Sequence, residues 1–314
     1  MVRRLLLASP RGYCAGVERA VETVERALEL QGPPVYVRKQ IVHNAHVVRD
    51  LERRGAIFVE SEEDAPEGAV LVLSAHGVAP AVHESAARRH LRTVDATCPL
   101  VSKVHAEARR YAAEGYTILL VGHEGHEEVE GTLGEAPEAT VLVQTADDAE
   151  RVRVSDPARV AYVTQTTLSV DETAEIVATL RRRFPEIEGP QAGDICYATT
   201  NRQRAVKELA SEIDLLLVIG SRNSSNSKRL VETGRAAGIE AHLIEDEEAI
   251  DERWLEGAET VGLTSGASAP EHLVRRVCDW FQARGVEEIV SSGAVVEDVF
   301  FRLPVEIRRA LPAA

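Results

Sequence analysis

Three cysteines sit in closely similar settings. Cys14 lies in "RGYCAGVERAV", Cys98 in "DATCPLVSKVH" and Cys196 in "DICYATTNRQRAV"; 84 residues separate the first two and 98 the next two. Each opens a helical pattern behind a strand-like or turn-like stretch. A single thiol at a helix start serves packing, nucleophilic attack or metal ligation. Three thiols at repeat-equivalent positions favour ligation of a soft metal. With no evident fourth ligand, they suit an iron–sulfur cluster with one open iron. Replacement of a thiol by one of the histidines would give zinc or non-haem iron instead, and spacing alone leaves that choice open. Cys278 is different. It shares an apolar helical stripe with Val274, Val277 and Phe281 and has no counterpart in the repeats, so it reads as core. The chain has neither a G-x-x-x-x-G-K-[ST] loop nor a G-x-G-x-x-G turn after a strand. Electrons for redox chemistry would therefore come from another protein.

Polar clusters repeat with the thiols. His43 follows Cys14 by 29 residues, His126 follows Cys98 by 28, and Ser224 follows Cys196 by 28. A second set closes other strand-like runs: "SAHG" with His76, "TQTT" with Gln165, Thr166 and Thr167, and "TSGAS" with Ser268. Hydroxyls, amides and imidazoles gathered at strand ends make a cradle for an anion, and helix N-termini add to it. Glu128 and Glu130, just behind His126, are candidate proton donors. Several of these residues also have ordinary structural uses. Ser268 with Glu271, and Ser169 with Glu172, have the spacing of capping boxes. His83, His90 and His105 fall in helical patterns and read as surface or packing residues.

The elements that must position these groups follow from periodicity. Val17, Ala20, Val21, Val24, Ala27 and Leu28 form one apolar helical stripe, stopped by Gly32-Pro33-Pro34. Val101, Val104, Ala108 and Tyr111 form a second, ended at Gly115. Val206, Leu209, Ala210 and Ile213 form a third. Strand-like runs follow: "VYV", "TILLVG" and "DLLLVIG". Acidic turns ending at Ala65, Ala149 and Ala249 recur 84 and 100 residues apart, nearly the cysteine period. Alternating strands and helices require crossover connections and parallel sheets. The fold expected is α/β: three pseudo-threefold-related units with short parallel sheets around a central cavity. Ligands of parallel sheets bind beyond the carboxyl ends of the strands, where the thiols and polar clusters lie. The units span residues 16–98, 99–195 and 196–285. The N-terminal strand in 1–15 completes the third, and 286–314 form a C-terminal tail whose phenylalanines suit a domain boundary.

Composition narrows the partners. The 314 residues carry a net charge of −15, from 36 basic and 51 acidic side chains. Such a surface disfavours nucleic acid and anionic membranes, and no apolar run has the length of a membrane span. The stretch Met1 to Ala8 is basic then apolar, but too short for a secretory signal core. It reads as a first strand and points to a cytoplasmic protein, in which four cysteines are thiols rather than disulfides.

Taken in order, "RGYCAGVERAV", "VHNAHVV", "SAHGV", "DATCPLVSKVH", "GHEGHEEVEGT", "VTQTTLSVDET", "DICYATTNRQRAV", "GSRNSSNSKRLVE" and "TSGASAPEHLV" resemble the 4-hydroxy-3-methylbut-2-enyl diphosphate reductase (IspH, LytB) family, over about Leu5 to Pro304. The resemblance implies one 4Fe–4S cluster per chain on Cys14, Cys98 and Cys196, with a fourth iron open to substrate. It implies reductive loss of an allylic hydroxyl as water, yielding isopentenyl and dimethylallyl diphosphate in the methylerythritol phosphate pathway. Ferredoxin or flavodoxin would supply the electrons. The diphosphate pocket carries over to His43, His76, His126, Ser224, Ser225, Asn226 and Ser268, the proton-relay acid to Glu128, and the residue beside the substrate hydroxyl to Thr166. Gln165 and Thr167 flank it. Glu127 stands where proline is common in relatives, and it is expected to face solvent. The competing reading is a non-enzymatic iron–sulfur or zinc sensor built on the same thiols. A metal-assisted phosphohydrolase would need more carboxylates at strand ends than the sequence offers.

Overall fold

The computed structural model describes residues 2–293 and 295–310. Met1 of the expected first strand and residues 311–314 of the expected tail lie outside the described residues. The chain runs β1 (Arg4–Ala8), α1 (Ala15–Gln31), β2 (Val35–Arg38), α2 (Ala45–Arg53), β3 (Ala56–Val59), β4 (Val70–Leu73), α3 (Pro80–Arg88) and β5 (Arg92–Asp95). Next come α4 (Pro99–Ala113), β6 (Thr117–Val121), α5 (Glu127–Glu135), β7 (Thr140–Val143), α6 (Ala146–Arg151), β8 (Val160–Thr164) and α7 (Val170–Arg183). The last third holds α8 (Tyr197–Leu209), β9 (Leu215–Ile219), α9 (Ser225–Ala236), β10 (Glu240–Ile244), β11 (Thr260–Ser265), α10 (Glu271–Gln282), β12 (Glu288–Ser292) and α11 (Val305–Ala310).

Among the described residues the strands form three sheets, ordered β10-β9-β11-β1-β12, β3-β2-β4-β5 and β7-β6-β8, and every pairing is parallel. The three short parallel sheets expected from the βα alternation are thus present. Their central strands are covered on both faces, so they are apolar throughout rather than alternating. All residues of β4, β8 and β9 are buried, and in β6 all but Thr117. Within the five-stranded sheet, successive side chains still point to opposite faces. Leu5, Leu7, Leu217 and Leu263 pack with Leu273, Val277 and Phe281 of α10. Leu6, Ala8, Leu216 and Val218 pack on the other face with Val206, Leu209 and Leu230 of α8 and α9. Each fully buried leucine contributes about 1.5–3 kcal/mol relative to exposure.

β12 was not foreseen in the tail. None of its residues is buried and most are exposed, so it lacks the apolar run that marks a covered strand. It pairs with β1, which lies between β11 and β12. Of the two tail phenylalanines, Phe300 is 80% exposed.

The chain divides into two compact units. One comprises Met1–Val17, His43–Val47 and Tyr197–Phe300 and contains the five-stranded sheet. The other comprises Glu18–Val42, Val48–Cys196 and Phe301–Ala314 and contains the other two sheets.

Candidate functional site

The three cysteines occupy one local structure, repeated. Each directly precedes a helix: Cys14 before α1, Cys98 before α4, Cys196 before α8. Each donates its backbone N–H to the carbonyl two residues past the end of a strand. Cys14 N reaches Ala267 O beyond β11 at 3.3 Å, Cys98 N reaches Ala75 O beyond β4 at 3.0 Å, and Cys196 N reaches Thr166 O beyond β8 at 3.1 Å. None of the three is in a disulfide, and each is part-exposed. Three thiolate donors in equivalent backbone settings fit a soft metal or an iron–sulfur cluster. Cys278, in α10, packs against the core cluster of the five-stranded sheet, and burial pushes its thiol up from the ordinary cysteine value. It is a packing residue, as its stripe suggested.

The second unit assembles the acid, its threonine and two histidines. Glu128, in the first turn of α5, is 2% exposed. Its Oε1 accepts from Thr166 N at 2.6 Å and its Oε2 accepts from Thr166 Oγ1 at 3.2 Å. Burial pushes the Glu128 carboxyl up from its usual value; the Thr166 hydrogen bonds and the nearby His76 and His105 oppose that rise. A carboxyl held this way keeps its proton at higher pH than an exposed one, which suits a general acid. Glu130 does not share this role: its side chain is 55% exposed and pairs with Lys39 at 2.9 Å. Gln165, 1% exposed, is a strut. Its Oε1 accepts from His123 N at 3.1 Å and its Nε2 donates to Thr167 Oγ1 at 2.8 Å.

His126 caps α5, its Nδ1 accepting from Glu128 N at 3.2 Å. That bond requires a lone pair on Nδ1 and leaves the neutral ring's proton on Nε2. His76 lies edge-on to His126, with ring centroids 5.9 Å apart. Its Nδ1 meets Glu127 Oε2 at 3.1 Å. The expectation that Glu127 faces solvent is therefore corrected: its side chain is 17% exposed and holds the His76 ring. As the first residue of α5, Glu127 leaves the helix sideways, and the imidazole 51 residues earlier in sequence captures it.

The first unit assembles the hydroxyl cradle. Ser224 caps α9, accepting from Ser227 N at 3.3 Å and from Ser227 Oγ at 3.0 Å. Ser225 and Asn226 form the first turn, where backbone N–H groups lack carbonyl partners within the helix and attract anions. Asn226 Oδ1 accepts from Ala267 N at 3.0 Å, and its Nδ2 donates to Thr199 Oγ1 at 3.4 Å. Thr199 had no sequence signal beyond lying in the Cys196 motif. The approach of α9 to the strand ends depends on two glycines. A Cβ at Gly220 or at Gly266 would lie 2.1 Å from Ser227 Oγ, so any side chain there would push the helix start away.

Ser268 Oγ donates to His43 O at 2.9 Å, which links two expected substrate residues within this unit. His43 is itself buried at 8% exposure. The capping box expected for Ser268 and Glu271 is absent. α10 begins at Glu271 with Pro270 at its cap position and no side-chain cap, while Glu271 pairs with Arg11 at 2.8 Å. Ser169 does cap α7, accepting from Glu172 N at 3.3 Å. Tyr197, the residue after Cys196, was not singled out from sequence. Its hydroxyl accepts from Ala15 N at 3.2 Å, and burial pushes its pKa up to about 12.

The expected site residues thus fall into two groups. Cys14, His43, Ser224, Ser225, Asn226 and Ser268 lie in the first unit, and His76, Cys98, His126, Glu128, Gln165, Thr166, Thr167 and Cys196 in the second. Among the described residues no helix is long and apolar enough to cross a membrane.

Comparison with known proteins gives one answer. The family model described as "LytB protein" matches residues 5–282. The 4-hydroxy-3-methylbut-2-enyl diphosphate reductase of Acidothermus cellulolyticus is 61% identical over 99% of this chain and 92% of its own length. The enzyme of that name from Mycobacterium ulcerans is 60% identical over 98% of this chain and 93% of its own. Among solved structures, the E-1-hydroxy-2-methyl-but-2-enyl-4-diphosphate reductase of Plasmodium falciparum is 39% identical, with a TM-score of 0.93 and 98% of both chains covered. Motifs, geometry and relatives agree, and the chain belongs to the LytB family.

Proposed function

We propose that this protein is a 4-hydroxy-3-methylbut-2-enyl diphosphate reductase of isoprenoid biosynthesis. The substrate's allylic C–O bond breaks, two electrons and two protons are taken up, the oxygen leaves as water, and isopentenyl or dimethylallyl diphosphate is formed. Cys14, Cys98 and Cys196 are the ligands of one 4Fe–4S cluster per chain. That cluster, when bound, supplies Lewis acidity and electron transfer. The electrons enter from a small redox protein, ferredoxin or flavodoxin, and a cytoplasmic setting suits cysteines held outside disulfides. The repeats divide the chain at residues 16–98, 99–195 and 196–285, with the strand in 1–15 completing the third and 286–314 as a tail.

The observation that carries this reading is the role of Thr166. On one side its N–H and hydroxyl bind the buried Glu128 carboxyl; on the other its carbonyl accepts from the N–H of Cys196. One residue thus couples the acid to a thiol-bearing loop. Glu128 donates a proton toward the leaving oxygen, and Thr166 fixes where that proton is presented. His126, with its proton on Nε2, and His76, backed by the Glu127 carboxylate, offer donors to diphosphate oxygens. Ser224, Ser225, Asn226, His43 and Ser268 complete the anion cradle at the start of α9, with no cation needed there. Gln165 and Thr167 hold the loop around Thr166. A sensor has no use for an acid buried at 2% exposure and held by two polar atoms of Thr166.

Anaerobic purification with iron and sulfide analysis tests the cofactor. Reduction of the allylic diphosphate by dithionite-reduced viologen tests the activity. Stoichiometric zinc without sulfide, or an intact cluster with no turnover, overturns the proposal.

A further inference from the structure

Three cations follow the cysteines with the same regularity as the polar clusters. Arg19 is five residues after Cys14, Lys103 five after Cys98, and Arg202 six after Cys196. Each lies on the helix that opens at its cysteine. Each reaches the loop just before the next cysteine, and Arg202 also donates to Ala198 O in the first turn of its own helix at 3.0 Å. Arg19 Nη1 donates to Ala96 O at 2.9 Å and Thr97 O at 3.0 Å, the two carbonyls preceding Cys98. Lys103 Nζ donates to Gly193 O at 2.9 Å and meets Asp194 Oδ1 at 3.2 Å, just before Cys196. Arg202 Nη2 donates to Gly12 O at 2.7 Å, two residues before Cys14. The assignment is cyclic in sequence, 14 to 98 to 196 and back to 14.

The cations are also backed. Arg202 is fully buried, and its Nη1 meets the Glu297 carboxylate at 3.0 and 3.2 Å. Arg19 Nε donates to Arg302 O at 2.8 Å. Burial lowers the Arg19 pKa, and Asp95, the Cys98 thiol and Glu306 push it back up. The guanidinium is therefore within electrostatic reach of that thiol. Asp194, with no side-chain exposure, is fixed from its other oxygen by Thr164 N at 2.9 Å. Nothing in simple helix formation requires a cation at these three positions to contact backbone carbonyls of a distant loop. Repetition in three independent places marks a device.

We propose that Arg19, Lys103 and Arg202 are positioning residues for the cluster, each holding the loop that presents the next cysteine and setting a positive charge beside that thiolate. The proposal rests on the cofactor reading above. Three thiolates bring three negative charges, and cluster potentials follow net charge and hydrogen bonding around the sulfurs. Lys103 and Arg202 share their charge with Asp194 and Glu297, so replacing Lys103 by an uncharged residue makes the Cys196 loop one charge more negative and disfavours the reduced state.

Lys103 gives the cleanest test, because its side chain is 35% exposed whereas Arg202 is fully buried. In the metal-free full chain, Lys103→Met should speed amide exchange at Asp194, Ile195 and Cys196 about tenfold, the factor expected for loss of one charged hydrogen bond. Exchange at the Cys14 and Cys98 loops should not change. In the anaerobically reconstituted protein, the cluster's reduction potential should move to more negative values. Lys103→Arg should restore both. Arg19→Met should transfer the exchange effect to residues 96–98. Unchanged exchange at Cys196, equal acceleration at all three loops, or an unchanged potential overturns the proposal. A wild-type chain that takes up no iron and sulfide overturns the cofactor reading instead and leaves the exchange result standing.

Discussion

Glu128 and Thr166 form a two-point contact: the carboxylate takes both the backbone N–H, at 2.6 Å, and the side-chain hydroxyl, at 3.2 Å, of one residue. Both carboxylate oxygens are thereby committed, and the acid has a single orientation. The pair is 38 residues apart in sequence and joins the start of α5 to the end of β8.

Glu128→Gln keeps the size of the side chain and removes the transferable proton. Turnover with the allylic diphosphate should fall by roughly 10²–10⁴-fold, the usual contribution of a general acid. Iron and sulfide content should match the wild type. Turnover within a factor of two of wild type, at equal cluster content, would falsify the proton-donor role.

Burial raises the Glu128 pKa in the folded chain, and the sign of its linkage to stability follows. The unfolded chain ionises this carboxyl near pH 4.3, while the folded chain keeps it protonated to higher pH. The contribution to stability is full below that unfolded value and is lost as pH rises through the folded value. The difference in Tm between wild type and Glu128→Gln should therefore move against the wild type as pH increases above the ordinary carboxylate range. A difference independent of pH would show that the carboxyl titrates normally.

Glu127 fixes His76 and has no contact with Thr166 among the hydrogen bonds described. Removing it should weaken diphosphate capture and leave the chemical step alone. Glu127→Ala should raise KM about fivefold, corresponding to about 1 kcal/mol, within the range for hydrogen bonds of partly exposed groups. The value of kcat should stay near wild type. Steady-state kinetics separates this from a fall in kcat, which would place Glu127 in the proton path.

Gly266 marks how closely α9 must approach β11. Gly266→Ala would set a methyl carbon 2.1 Å from Ser227 Oγ, so the first turn of α9 has to move. Overpacking of this kind costs about 1–3 kcal/mol, readable in denaturant unfolding, and diphosphate affinity should fall with it. Ser268→Ala should lower affinity with at most about 1 kcal/mol of stability lost, since Ser268 caps no helix. A large Tm loss in Ser268→Ala with unchanged affinity would reverse these roles.

Much of this arrangement was legible in the sequence because it repeats. The cysteine period exposed three equivalent strand-end loops, and covered parallel strands announce themselves as unbroken apolar runs such as "LLLVI" in β9. What escaped was set by contacts distant in sequence. Glu127 is one of three acids at a helix start, and only the turn carrying His76 decides which way it points. Ser268 matched a capping spacing, but the chain makes one more turn through Pro270 before α10 begins. β12 is half-exposed and carries no strong pattern; β1 beside it supplies the pairing. The cations at 19, 103 and 202 escaped as well, because the carbonyls they hold lie about 80 to 190 residues away in the chain.

The position of β1 between β11 and β12 also has a meaning in time. The ribosome makes β1 before its two partners, which follow over 250 residues later. At about 5–20 residues per second, β1 waits roughly 10–50 seconds for a sheet to join. The carbonyl that accepts from the N–H of Cys14 belongs to Ala267 and is made at the end of that interval. The proposed cluster ligand Cys14 is therefore completed only after that interval: a nascent or truncated chain presents that thiol without its backing.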